Sequence, residues 1–135
     1  MTKICVEGGQ ALIDSGEVTG SKKLYIETLL RTGRQCVSQS HSFFEASIVH
    51  ECGHMLDDKV FRKIYDTVFG TTGVFEGALK AISESRMKYG VNISGYAISN
   101  NHEYIAESFC AWWYGETDIL DPAIIKVFET AMKGT

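Results

Sequence analysis

The sequence predicts an α+β fold in which a small N-terminal mixed β-sheet precedes a mainly helical C-terminal part. Before residue 40, short apolar runs separated by glycine-containing turns indicate strands. From Ser42 onward, apolar residues recur every three or four positions, which is the period of a helix. With 135 residues, 44% of them hydrophobic and 22% charged, we predict a single domain over residues 1–135 with a substantial core.

Three segments make up the predicted sheet. Residues 3–7 are mostly apolar and end at a glycine pair, which indicates a strand and a turn. Residues 24–30 form the second strand, and residues 34–38 form a short edge strand. The second strand rests on an alternation of side chains, namely Leu24, Ile26, Thr28 and Leu30.

Four helices are predicted, over residues 43–58, 74–89, 101–114 and 122–133. The first should begin with a capping box, because Ser42 is followed three positions later by Glu45. The predicted core stripe of this first helix consists of Phe44, Ile48, Cys52 and Leu56.

The first helix carries an H-E-x-x-H run, His50 to His54. Residues four apart lie on one helical face, so His50 and His54 can direct two imidazoles at one metal ion. Imidazole nitrogens suit zinc, and the carboxylate of Glu51 beside a zinc-bound water can act as a general base. The sequence therefore predicts Zn²⁺ as a cofactor. Gly53 indicates either close approach by another backbone or room around the metal.

A catalytic zinc needs a third protein ligand that leaves one position for water. Glu103 and Glu107 are the best candidates, since they lie four apart near the start of a later helix. One of these glutamates can bind the metal, while the other holds a ligand in place.

The sequence reads HECGHMLDD over residues 50–58 and YAISNNHEYIAESF over residues 96–109. These segments resemble the catalytic domain of anthrax lethal factor and its relatives, which include the Pro-Pro endopeptidases. Those proteins are gluzincins, and their pattern is a tyrosine, a ligand glutamate seven positions later, an alanine-glutamate pair and a phenylalanine. The resemblance covers about residues 44–133 and implies a zincin-like fold.

The resemblance also implies roles for individual residues. His50, His54 and Glu103 would bind zinc. Glu51 would take a proton from the bound water and pass one to the leaving amine, and Tyr96 would donate a hydrogen bond to the developing oxyanion.

Two further residues would support these ligands: Glu107 would orient a ligand, and Asp57 would lie behind the ligands or cap a helix. The function implied is a zinc-dependent endopeptidase acting on a peptide or protein substrate.

Two alternatives stay open. Residues 103–110 partly fit the E-x-x-A-x-x-F-A helix of intracellular zinc peptidases that cut transcriptional repressors, although Tyr96 favours the lethal-factor group. A catalytically silent, zinc-stabilised binding module is the other alternative, and Glu51 and Tyr96 argue against it because a pure binder needs neither.

The composition bears on partners and compartment. A formal net charge of -4 argues against a nucleic-acid partner. We expect no membrane partner, because no apolar run approaches the roughly 20 residues of a membrane span. No signal-peptide pattern is recognisable, so we expect a cytoplasmic protein or one secreted without such a signal.

Overall fold

A computed structural model of the protein describes residues 3–133, except for the side chains of Ile4 and Cys5, and shows a helical architecture. No helix within this range has the length and apolar character needed to cross a membrane. The α-helices are α1 (Lys3–Asp14), α2 (Gly20–Thr32), α3 (Phe43–Leu56), α4 (Arg62–Phe69), α5 (Gly77–Tyr89), α6 (Asn101–Trp113) and α7 (Pro122–Lys133). A π-helical turn, Asp57–Phe61, joins α3 to α4. Short 3₁₀ turns lie at Val37–Ser40, Gly90–Asn92, Tyr96–Ile98 and Thr117–Ile119.

The predicted α+β class is wrong, because residues 3–133 contain no strand. The first two predicted strands lie within α1 and α2. The alternation in α2 predicted a strand wrongly, because the alternating residues also include pairs that lie four positions apart, as on one face of a helix. Ile26 and Leu30 both face Gly9 of α1, while buried Thr28 donates its Oγ1 hydrogen to the Leu24 carbonyl at 2.8 Å. Apolar residues at every second position can therefore also belong to a helix with 3.6 residues per turn.

The predicted edge strand is also wrong, although Cys36 within it has an extended backbone, with φ -139° and ψ 154°. Its backbone carbonyls at Arg34 and Gln35 accept hydrogen bonds from the amides of Gly95 and Tyr96 at 3.2 and 2.8 Å. The Arg34 side chain donates to the Ile93 carbonyl at 2.7 Å. The segment 34–36 therefore fixes the loop around Tyr96 without forming a sheet.

Helix α6 lies at the centre of the molecule, and every residue from 104 to 111 is buried. One side packs against α3, and other sides meet α5 and α7. Phe109 of α6 lies 5.9 Å from Phe61 and 5.4 Å from Phe128, measured between ring centroids. These aromatic contacts tie the π-helical turn and α7 to the central helix.

The predicted core stripe of α3 is wrong for Phe44 and Ile48, whereas Cys52 and Leu56 are partly buried and pack against the core. Phe44 and Ile48 are 80% and 52% exposed. The buried face instead consists of small residues, Ala46, Val49 and Gly53. A Cβ atom on Gly53 would lie 3.0 Å from the Cα of Ala106 and 3.2 Å from the Cβ of Phe109. Close packing of α3 against α6 selects the small residues, so the larger apolar side chains point outward.

Helix α3 begins after Ser42 as predicted, but the Ser42 hydroxyl makes no capping hydrogen bond. The carbonyl of Ser42 accepts the hydrogen bond of the Ala46 amide at 2.8 Å instead. The predicted capping box is therefore not formed.

Substituting Gly53 with alanine tests the close approach of α3 and α6. The added methyl group would press on the α6 backbone, so we expect Gly53→Ala to lower the free energy of unfolding by about 1–3 kcal/mol. The matched control is Gly8→Ala in α1, where a Cβ would meet nothing within 4 Å. There the better helix propensity of alanine should raise stability by up to about 1 kcal/mol. Urea unfolding of both variants measures the difference, and equal gains in stability would contradict the packing.

Candidate metal centre

Helix α3 brings the two histidines together. The Nε2 atoms of His50 and His54 are 3.1 Å apart, and their rings meet edge to face with centroids 4.8 Å apart. This is the arrangement that the four-residue spacing predicts. Both side chains are partly accessible, His50 at 11% and His54 at 27%.

Glu103 reaches this pair from the first turn of α6. Asn100 caps the helix, its Oδ1 accepting the hydrogen bond of the Glu103 amide at 2.8 Å. One carboxylate oxygen of Glu103 lies 3.3 Å from His50 Nε2, and the other lies 2.8 Å from His54 Nε2. Ligand atoms of a tetrahedral zinc site are about 3.3 Å apart, given metal–ligand bonds of about 2.0–2.1 Å. The three side chains therefore fit a zinc ion with little movement.

Glu51 offers a second carboxylate near the histidines. Ligand atoms of His50, Glu51 and His54 all lie within 4.8 Å of one another. Glu103 is the better ligand, because its oxygens are 2.8 and 3.3 Å from the two Nε2 atoms and because it comes from a different helix. Glu51 is exposed and has no hydrogen-bond or ion-pair partner among the described residues, so its carboxylate is free for another role.

The Glu107 carboxylate contacts His50 at Nδ1, the ring nitrogen that does not face Glu103. The Glu107 side chain is fully buried, and one oxygen lies 2.8 Å from His50 Nδ1. The other oxygen accepts hydrogen bonds from the Val37 amide at 2.8 Å and from the Ser94 hydroxyl at 2.5 Å. A carboxylate on Nδ1 turns the Nε2 atom toward Glu103 and makes it a better ligand. This contact gives Glu107 the position that the predicted orienting role requires, and the role itself stays a prediction.

Burial and neighbouring charge act in opposite directions on His50. Burial lowers the pKa of His50, but the hydrogen bond and charge of Glu107, together with the charges of Glu103 and Glu51, outweigh it. The net result is a pKa above 6.5. In the absence of metal, the Glu107 carboxylate thus favours the protonated form of His50.

Tyr96 lies in the same cleft as two of the predicted ligands, His50 and Glu103. The cleft has a volume of about 290 Å³, and its walls include His50, Glu51, Tyr96 and Glu103. Partial burial raises the pKa of Tyr96, and so does the negative charge of Glu103. The phenol thus stays protonated at neutral pH and can donate a hydrogen bond.

Asp57 is not brought next to the ligands. It is buried at the start of the π-helical turn, accepts a hydrogen bond from the Tyr65 hydroxyl, and lies 3.0 Å from His102 Nδ1. Neither His50 nor His54 is among the partners of Asp57 in residues 3–133. Its observed contacts tie α3 to α4 and to the start of α6.

The hydrogen-bonding groups around Glu107 and Tyr96 were not predicted from the sequence. Ser94 and the Val37 amide share one oxygen of Glu107, and the Gln35 carbonyl fixes Tyr96. A serine two positions before Tyr96 carries no recognisable signal, and backbone groups carry none. Cys36 and Ser38 also line the cleft.

No family model, no curated protein and no solved structure matches this chain. The chemistry of the site is therefore inferred from its own side chains, and the resemblance to gluzincins stays a prediction.

Substitutions at Glu107 test the support behind His50. Glu107→Gln removes the charge and should weaken zinc binding about 10–100-fold, because the imidazole loses its anionic partner. Glu107→Ala should also unfold the protein more readily, since it leaves three buried donors without an acceptor, each costing about 1–3 kcal/mol. Competition with a chromophoric chelator and thermal unfolding measure the two effects. Wild-type zinc affinity in Glu107→Gln would exclude the orienting role.

Because the pKa of His50 is raised, the free energy of unfolding of the metal-free protein should depend on pH. The folded state holds this proton more tightly than the unfolded chain, where histidine titrates near pH 6.5. The stabilisation is therefore fully present below about pH 6.5 and is lost as the pH rises through the raised pKa of His50. Urea unfolding in the presence of a chelator should show this loss in the wild type and a smaller loss in Glu107→Gln. A wild-type stability that rises over the same pH range would show that the pair does not form.

Proposed function

We propose that the protein is a zinc-dependent endopeptidase that hydrolyses peptide bonds with a water activated by Glu51. The observation that carries the proposal is the convergence of His50, His54 and Glu103, whose ring nitrogens and carboxylate oxygens lie 2.8–3.3 Å apart. Two imidazoles and one carboxylate are the ligand set of a catalytic zinc with a position left for water.

Zinc bound by these three side chains would lower the pKa of a coordinated water to near 7 and polarise a carbonyl group. Glu51 would accept the proton of that water, because its carboxylate is exposed, unpaired and adjacent in sequence to His50. The same carboxyl group would then donate a proton to the leaving amine.

Tyr96 would donate the hydrogen bond of its phenol to the oxyanion that forms from the substrate carbonyl. Its backbone is fixed by the hydrogen bond to Gln35, and its side chain is 38% exposed, so a substrate can reach it. Donors positioned in this way are typically worth about 10²–10³ in turnover.

The free carboxylate of Glu51 favours turnover over a catalytically silent binding module. A module stabilised by zinc needs the three ligands and Glu107, but it has no use for an unpaired carboxylate beside the metal. A repressor-cleaving peptidase would use the same chemistry and would differ only in its substrate. Digestion of a broad peptide library, with and without a chelator, separates these cases.

Glu51→Gln tests the proposal directly. The variant should bind one equivalent of zinc as the wild type does, while peptide cleavage should fall by about 10²–10⁴-fold or more because the general base is lost. Zinc content by atomic absorption and cleavage of a fluorogenic peptide library are measured on the same preparation.

The matched control is Glu129→Gln, which removes an exposed carboxylate of α7 and should leave zinc content and cleavage unchanged. Cleavage by Glu51→Gln at the wild-type rate would exclude the general-base role. A zinc-loaded wild type that cuts no peptide in the library would favour the silent module.

A further inference from the structure

A second groove, with a volume of about 710 Å³, lies between α4, α5 and the start of α6. It shares no lining residue with the metal cleft. Its polar lining residues include Arg62, Arg86, Asn100, Asn101 and His102. Asn100 caps the turn that carries Glu103, and the proposed peptidase mechanism uses none of the other four side chains.

Arg86 lacks the partners that a buried guanidinium normally has. Its Nε atom is buried without a hydrogen-bond partner, and no ion pair forms at Arg86 within residues 3–133. Arg34 provides the contrast, because its Nε donates to the Ile93 carbonyl at 2.7 Å and its Nη1 lies 2.9 Å from a Glu116 oxygen. A buried donor without a partner has hydrogen-bonding capacity that an anionic ligand can use.

The charges around the groove favour an anion. Arg62 makes only an exposed ion pair with Asp58, at 3.2 Å, and such pairs are weak. Asp57 is the one carboxylate among the described lining residues, and its oxygens are already occupied by the Tyr65 hydroxyl and His102 Nδ1. Asp58 thus partly offsets the charge of Arg62, while Arg86 has no carboxylate partner among the described residues, on a protein whose net charge is -4.

The groove also has apolar lining residues. Ala78, Leu79 and Ile82 of α5 and Ile105 of α6 lie beside the charged residues. Leu79 is 57% exposed and Ala78 is partly exposed, whereas Ile82 and Ile105 are buried. Apolar side chains together with a few polar groups are the usual lining of a small-molecule site.

We propose that this groove binds a small organic anion, with a carboxylate or phosphate head group on Arg86 and an apolar body on the face formed by Ala78, Leu79 and Ile82. The head group would accept the hydrogen bonds of the Arg86 guanidinium, which carboxylates and phosphates match in geometry. This binding goes beyond the proposed peptidase function and does not depend on metal.

Isothermal titration of the full chain with four probes tests the proposal, with and without zinc. Octanoate and octyl phosphate carry both features, acetate carries only the head group, and 1-octanol carries only the apolar body. We expect at least one of the two amphipathic anions to bind at least tenfold more tightly than acetate and 1-octanol, and the better of the two identifies the head group.

Two variants locate the site. Arg86→Met should weaken binding of the preferred anion at least tenfold and leave thermal stability unchanged or higher, because the cation that it removes has no partner. Arg86→Lys keeps the charge and should weaken binding less. The control Lys126→Gln, which removes an exposed charge on α7, should bind as the wild type does.

Three binding results would overturn the proposal. They are equal binding of 1-octanol and the anions, wild-type binding by Arg86→Met, and no binding of any probe. A large loss of stability in Arg86→Met would also contradict it, since Arg86 would then have a partner within the fold. None of these results depends on peptide cleavage. A failure of the anion-binding proposal would therefore leave the proposed peptidase function unaffected.

Discussion

The buried carboxylate of Glu107 connects three parts of the chain that are distant in sequence. It accepts hydrogen bonds from the segment that precedes α3 and from the loop that precedes α6, and it pairs with His50 of α3. A buried carboxylate is destabilising unless its oxygens accept hydrogen bonds. The positions of these three donors are therefore constrained by the position of Glu107. The orientation of His50 and the position of the Tyr96 loop thus depend on one side chain.

The second constraint is the contact between α3 and α6 at Gly53. Because no side chain separates the helices there, the two histidines on α3 lie within reach of Glu103 on α6. The same contact rotates α3 so that its small residues face inward. Glu51 then lies on the open side of the helix, beside the exposed Ile48. Helix packing therefore sets both the ligand geometry and the exposure of the proposed base.

The candidate site was more predictable from the sequence than the fold was. His50 and His54 lie on one helix, and Glu103 and Glu107 lie on another. Side chains four positions apart on a helix lie on the same face, so the sequence spacing alone predicts their relative placement. Helices α3, α5, α6 and α7 were likewise predicted to within a few residues, because their periods and end signals agree.

The predicted strands failed because they were short. An apolar alternation over seven residues, as in Leu24 to Leu30, fits either period, and packing of α2 against α1 decides between them. The core stripe of α3 failed in part for a related reason, since hydrophobicity ranked Phe44 above Ala46 while close packing required the smaller residue. The Val37 amide and the Gln35 carbonyl could not have been found at all, because every residue carries such groups.

The proposed metal centre requires two imidazoles and the Glu103 carboxylate to bind one divalent ion. X-ray absorption spectroscopy of the zinc-loaded protein, with Glu103→Gln as the comparison, can identify these ligands. We expect two imidazole ligands and oxygen ligands at about 2.0–2.2 Å, and a changed spectrum with weaker zinc binding in Glu103→Gln. A sulfur ligand at about 2.3 Å, as Cys36 in the cleft would give, or a spectrum unaffected by Glu103→Gln, would contradict this ligand set.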